Sequence, residues 1–219
     1  MVSSLNEFDE CTRIIQERSV LLDMKDTGSH YQLSENIHTE KAYLFPPMLE
    51  RATNRKRFAE RLHQGMLKKG VNPRGDIDVL IGLGIAAMPL VYTLQDMGVL
   101  EHTLAMYMEE RDNEMALGPG FSLRLNEKVF LVHLAAVSFR RIRRSIDAVH
   151  ALAEKTGIHP CVEGFAVLID RSPAGSEWER DFLSFKRVVG IRSPIIAYPD
   201  NACPLCAMDV PLVDLRGIA

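Results

Sequence analysis

The 219-residue chain is 47% hydrophobic and 25% charged, with a formal net charge of -3. That length and balance suit one core-bearing domain with a small appendage, and they leave no charge-based argument for nucleic acid or a membrane surface as partner. Cys11, Cys161, Cys203 and Cys206 are too few for a disulfide framework, so free thiols in a reducing compartment are expected.

The opening MVSSLNEFDE lacks the basic start and apolar stretch of a signal peptide, and no apolar run reaches membrane-spanning length. A cytoplasmic location is the expectation. Phe8, Cys11, Ile14, Ile15 and Val20 recur at helical spacing and predict a helix over 6–22; Ala52, Ala59, Leu62 and Met66 predict a second over 48–69. Between them, 28–47 alternates in short stretches and carries two successive prolines, which reads as irregular strands or loops.

From Asp76 the pattern changes. DVLIGLG, TLAMYM, KVFLVHLAAV, VEGFAVLID and RVVGIRSPIIAY are short apolar runs of the kind that buried parallel strands show. Ile142, Ile146, Val149 and Ala153 predict a crossover helix starting near Ser138. The order β-α-β-β-α-β describes an α/β fold with an open, mostly parallel sheet flanked by helices. Ligands of such sheets bind beyond the strands' carboxyl ends, which directs attention to the residues after Gly82, Met108, Leu134 and Asp170.

Several blocks there carry a resemblance: VLIGLGIAAMPLVY, AMYMEERDNEMALGPGF, KVFLVHLAAVSFRRIRRSI, AVLIDRS and CPLCAMDVPLVDLRG. In this order they resemble the type I phosphoribosyltransferases, and specifically the orotate phosphoribosyltransferase branch. SHYQLSENIHTEKAYLF resembles, more loosely, that family's hood segment. The resemblance implies a single phosphoribosyltransferase-like domain over 1–219. Within it, 1–47 supplies an N-terminal helix and hood-like segment, 76–200 the core sheet, and 201–219 a tail containing CPLC.

The resemblance also shows what is missing. The family places two adjacent acidic residues at the end of its third strand, where they bind the ribose hydroxyls; His133 and Leu134 stand there instead. Leucine neither accepts a hydrogen bond nor stabilises charge developing at the anomeric carbon. Val137, Ser138, Phe139 and Arg140 replace a Thr-Thr-Gly-Gly phosphate loop, so close backbone approach to a phosphate loses its glycines. Ala86 and Ala87 occupy diphosphate-contacting positions. Arg111 matches a mobile-loop arginine, whereas Gly118 and Pro119 stand where further arginines are common.

The expected function is therefore binding of a nucleotide or other phosphorylated ligand, with ordinary phosphoribosyl transfer lost or altered. The alternatives are an active phosphoribosyltransferase of pyrimidine metabolism using non-standard residues, and a structural subunit pairing with an intact homologous enzyme. Magnesium is implied only if transfer is retained. A homodimer is implied by the resemblance, and neither membrane nor nucleic acid is expected as partner.

Ser138, Arg140, Arg141 and Arg111 are the phosphate-binding candidates. Cations in a helix's first turns are disfavoured by the macrodipole and would gain from a bound anion; a solvated face pairing with Glu109 or Glu110 is the alternative. Arg111 and His133 are the catalytic candidates, with a core histidine bonded to backbone as the alternative reading of His133. His38, Lys41 and Tyr43 are candidates for holding a planar base. Cys203 and Cys206 have the spacing of half a zinc site, but no second close pair exists; His159 and Cys161 would complete it only if folding brought them near. No metal is expected there. SPAGSEWERD reads as a turn into a helix capped by Ser176.

Overall fold

The computed structural model describes residues 10–17, 20–34, 37–99, 103–112, 114–173 and 178–215. Helical residues 10–15 lead into four short strands, β1 (Leu21–Asp23), β2 (His30–Ser34), β3 (Ile37–Thr39) and β4 (Lys41–Tyr43). The helix expected over 6–22 therefore stops early: Leu21 and Leu22 pair in antiparallel register with Tyr43 and Ala42 of β4. Local periodicity is silent about such a distant partner. The expected helix over 48–69 is divided at Arg51 (φ -76°, ψ 122°) into Phe45–Glu50 and α1 (Ala52–Lys68). Arg55 Nη1 donates to the carbonyls of Leu49 and Glu50, both at 2.7 Å, and so satisfies acceptors that the break leaves without helical partners.

The core sheet is built from β5 (Val79–Leu83), β6 (Leu104–Arg111), β7 (Glu114–Leu117), β8 (Lys128–Ala136), β9 (Cys161–Asp170) and β10 (Lys186–Arg192). Their spatial order is β10-β9-β8-β5-β6-β7, all parallel except the edge pair β6/β7. Successive side chains point to opposite faces, so one apolar run feeds two cores. Leu80, Phe130, Val132 and Leu134 join the side covered by α1 and α2 (Met88–Leu94), with Phe58, Leu62, Leu90 and Val91. Val79, Ile81, Val129 and Leu131 join the other, under α3 (Arg140–Thr156), with Ile142, Ile146 and Val149. The fold class is thus an α/β sandwich around a mostly parallel sheet, as the continuous apolar runs predict.

Two local features refine the sheet. Around Arg111, where the resemblance implies a mobile loop, the chain forms a hairpin in which Arg111 pairs with Glu114 and Met108 with Leu117; Asn113 lies outside the described residues. In β9, Val129 faces Val162 but Phe130 faces Gly164, so Glu163 is an extra, bulged residue.

The remaining strands, β11 (Ala197–Pro199) and β12 (Leu212–Asp214), leave the core and complete a second sheet in the order β11-β3-β2-β12. Tyr198 pairs with His38 and Leu212 with His30. The hood-like segment and the C-terminal segment are consequently one sheet, with the short helix α4 (Pro204–Ala207) of the CPLC sequence between β11 and β12.

Candidate functional site

The carboxyl ends of the parallel strands bring together most of the residues that the sequence singles out. β5 ends in Gly84 (φ 95°) and a turn in which Ile85 and Ala86 are exposed and Ala87 is buried. No charged or hydroxyl-bearing side chain lies in that turn to meet a diphosphate. At the end of β8, Leu134 is 4% exposed and belongs to the core under α1 and α2. Its side chain seals that core and presents nothing to a sugar.

His133 points the opposite way. Its Nδ1 is buried without a hydrogen-bond partner among the described residues, and the ring's pKa is pushed down to about 3, first by burial, then by Arg141, against a hydrogen bond to the Leu83 backbone. At neutral pH it is an uncharged imidazole and a poor proton donor.

Phe139 follows with φ 57°, the left-handed conformation that favours glycine. Its ring is buried and stacks on Trp178 at 3.7 Å and 10°, with Phe165 and Phe182 around the pair. Where the family resemblance expects a phosphate loop, the backbone keeps a glycine-like shape while an aromatic side chain fills the space beneath. Trp178 is itself fixed from below: its Nε1 donates to Ser172 Oγ at 3.2 Å, and that hydroxyl donates to Asp170 Oδ1 at 2.6 Å. Ser176 and the rest of 174–177 lie outside the described residues, and Trp178–Phe182 is a short 3-10 turn.

The arginines divide by what they touch. Arg144 Nη1 sits 2.6 Å from Glu110 Oε1, and this contact holds the Glu110 carboxyl below its ordinary range, opposed by partial burial and assisted by Arg141 and Arg140. Arg143 donates to the Asp181 carbonyl and lies over the Phe182 ring at 4.6 Å. Arg111 folds back on Glu109, its Nε 2.7 Å from the carboxylate. Ser138, Arg140 and Arg141 are exposed at the start of α3. The solvated-face reading therefore describes Arg144 and Arg111, while Arg140 and Arg141 remain turned to solvent.

The hood-like candidates separate. Lys41 pairs with Asp23 at 3.0 Å, and Tyr43 Oη is 2.6 Å from Ser193 Oγ. His38 is drawn elsewhere: its Nδ1 lies 3.3 Å from Cys206 Sγ, so it does not share a base-holding face with the other two. Nor does Cys206 lack neighbours, as its sequence context suggests. His30, His38, Cys203 and Cys206 form one cluster, and His159 and Cys161 are no part of it. The partners come from β2 and β3, remote in sequence, which is why spacing alone misses them.

Sequence reasoning also passes over Arg171. It is 3% exposed, reaches the Lys41 carbonyl with Nη2 at 3.1 Å, and lies over the Tyr43 ring at 5.2 Å. Its Nε is buried without a partner among the described residues, and burial lowers its pKa to about 10, opposed by Tyr43. A buried guanidinium with no carboxylate against it among the described residues is electrostatically costly unless an anion joins it. The one signal in sequence is an arginine directly after the Asp170 that ends a largely apolar, buried strand.

No protein-family model matches the chain. The chain is 27% identical to the orotate phosphoribosyltransferase of Caldanaerobacter subterraneus subsp. tengcongensis over 185 residues, covering 84% of this chain and 86% of that protein. Its fold is similar to the crystal structure of orotate phosphoribosyltransferase from Aeropyrum pernix, with TM-score 0.57, 17% identity, and 82% and 92% of the two chains covered. The UMP synthase of Leishmania donovani aligns at TM-score 0.59 and 11% identity over 84% of this chain but only 36% of that longer one. No helix among the described residues is long and apolar enough to cross a membrane. By sequence the chain is similar to orotate phosphoribosyltransferases, and its fold is the one that the type I phosphoribosyltransferases among the solved structures share.

Proposed function

We propose that this protein binds a nucleotide or another small phosphorylated ligand at the strand ends and has lost ordinary phosphoribosyl transfer. The observation that carries the second half is the pair Leu134 and Phe139. One is a core residue where the family resemblance calls for a carboxylate, and the other fills the phosphate-loop position with a stacked ring. Transfer develops positive charge on the sugar and negative charge on the departing diphosphate, and losing one preorganised electrostatic contact of that kind typically costs ~100-fold or more. Binding is supported by Ser138, Arg140 and Arg141 at the start of a 17-residue helix, where an anion meets both guanidinium groups and the positive end of the helix. Buried Arg171 offers a second positive group for a ligand carboxylate or phosphate.

The experiment has two arms. Orotate consumption with phosphoribosyl pyrophosphate and magnesium is expected to stay at background. Calorimetric titration with nucleoside monophosphates and inorganic phosphate is expected to show binding that Arg140→Ala/Arg141→Ala weakens by ~10-fold or more, the scale of losing charge-assisted hydrogen bonds. Robust wild-type turnover would establish the alternative, an active phosphoribosyltransferase of pyrimidine metabolism for which magnesium is then required. Absence of both turnover and binding would leave a structural subunit, the reading that the apolar Phe139–Trp178 filling favours.

The proposed working form is a cytoplasmic homodimer. β7 is one of the two edge strands of the core sheet, and a sheet edge is where a second copy could add its own strand. Sedimentation of the purified chain is expected to give twice the monomer mass at micromolar concentration; a monomer would remove this part of the proposal.

A further inference from the structure

Zinc sites assembled from four side chains are recognised by donor type, by spacing between donors and by what orients them. His30 on β2 and His38 on β3 are buried, 0% and 5% exposed, and their rings meet edge to face at 5.3 Å. Cys203, 5% exposed, stands at the N-cap of α4, and Cys206 lies within that helix. One donor atom from each residue falls within 4.8 Å of all the others. Cys206 Sγ is 3.3 Å from His30 Nε2 and 3.3 Å from His38 Nδ1. For zinc–sulfur and zinc–nitrogen bonds of about 2.3 and 2.0–2.1 Å, a tetrahedron requires donor separations of roughly 3.3–3.8 Å. Small side-chain adjustments bring the observed cluster into that range.

The surroundings prepare one nitrogen for a metal. His30 Nδ1 lies 3.1 Å from the Pro211 carbonyl, which only accepts, so Nδ1 carries the proton and Nε2 presents its lone pair towards Cys206. This carbonyl–imidazole arrangement is the usual second layer around a ligating histidine. Two thiols and two imidazoles are also the donor set that selects zinc over magnesium or calcium, whose ligands are oxygens.

We propose that His30, His38, Cys203 and Cys206 bind one zinc ion, which fastens α4 and the segment around it to the β2/β3 hairpin. Four protein donors complete the tetrahedron and leave no position for substrate, so the role is structural. It does not rest on whether phosphoribosyl transfer survives.

The test uses the full chain purified under reducing conditions. Elemental analysis is expected to give about one zinc per chain, in line with a four-donor site. Chelation should lower the thermal midpoint, and cobalt reconstitution should produce the visible bands of a tetrahedral thiolate complex. Cys203→Ser and His30→Ala should lose the metal, whereas Cys161→Ser, outside the cluster, should keep it. If the first two variants do not fold, His38→Cys should still bind, because three thiolates and an imidazole also hold zinc, and its cobalt bands should shift with the added sulfur. Wild-type protein without stoichiometric zinc and without a cobalt spectrum in the reduced apo form would overturn the proposal. So would loss of metal on Cys161→Ser, or a folded His38→Cys whose cobalt bands are unchanged.

Discussion

Phe139→Ala is expected to destabilise the protein by about 3–5 kcal/mol, the range for removing a buried aromatic ring and leaving its cavity. The ring contacts Trp178, Phe165 and Phe182, so its loss opens the aromatic cluster between β9 and the start of α3. Phe139→Gly supplies the sharper result. In most buried positions glycine is less stable than alanine, but here φ is 57°. A left-handed residue with a Cβ carries about 1–2 kcal/mol of strain that glycine lacks. The glycine variant should therefore unfold at higher urea concentration than the alanine variant. An ordinary order, alanine above glycine, would show that this backbone conformation carries no strain.

Gly164→Ala should also be damaging, a large effect for so small a change. A Cβ built at Gly164 comes within 2.1 Å of the Lys186 carbonyl oxygen and 2.9 Å of its carbon. Those atoms belong to the backbone of β10, which pairs with β9 at this residue, so no side-chain rotation relieves the clash. Overpacked substitutions usually cost about 1–3 kcal/mol and occasionally more. A collision between two adjacent core strands belongs at or above the upper end, and reduced soluble yield with a sharply lower denaturation midpoint is expected. Gly75→Ala is the matched control: nothing lies within 4 Å of its added Cβ, and its stability should be unchanged or slightly raised. Equal midpoints for the two variants would mean that β10 can move aside.

The core was legible because its signal is local. Runs such as VLIGL and CVEGFAVLID are apolar almost throughout, and the structure buries both of their faces. The replacement of a carboxylate by Leu134 was legible by resemblance, and the structure adds that the side chain is packed in the core, which residue identity alone does not say. What sequence reading lost depends on distant partners. Leu21 and Leu22 continue a helical period yet pair with β4, and the segment around Arg111 resembles a mobile loop yet folds back along β6. Arg171 gives no periodic signal, and its significance comes from having no carboxylate against it among the described residues. His38, Lys41 and Tyr43 are neighbours in sequence, but His38 belongs to the sheet of β2, β3, β11 and β12, whereas Lys41 and Tyr43 lie on β4, which pairs with β1. Phe139 reads as an apolar residue at a helix start; only its dihedral angle shows that the chain bends there as a glycine would.

The sheet shared by the hood-like and C-terminal segments sets an order on biosynthesis. β2 and β3 are translated well before their outer neighbours β11 and β12, with His30 and Pro211 separated by 181 positions in the chain. Until translation reaches those strands, the hairpin has two uncovered edges, the feature that invites pairing with other chains. Long-range closure of this kind is slow compared with forming the βα units of the core. The nascent chain thus passes through a period in which its central sheet has formed while its first hairpin waits. Chaperone capture or premature termination would act most strongly in that interval.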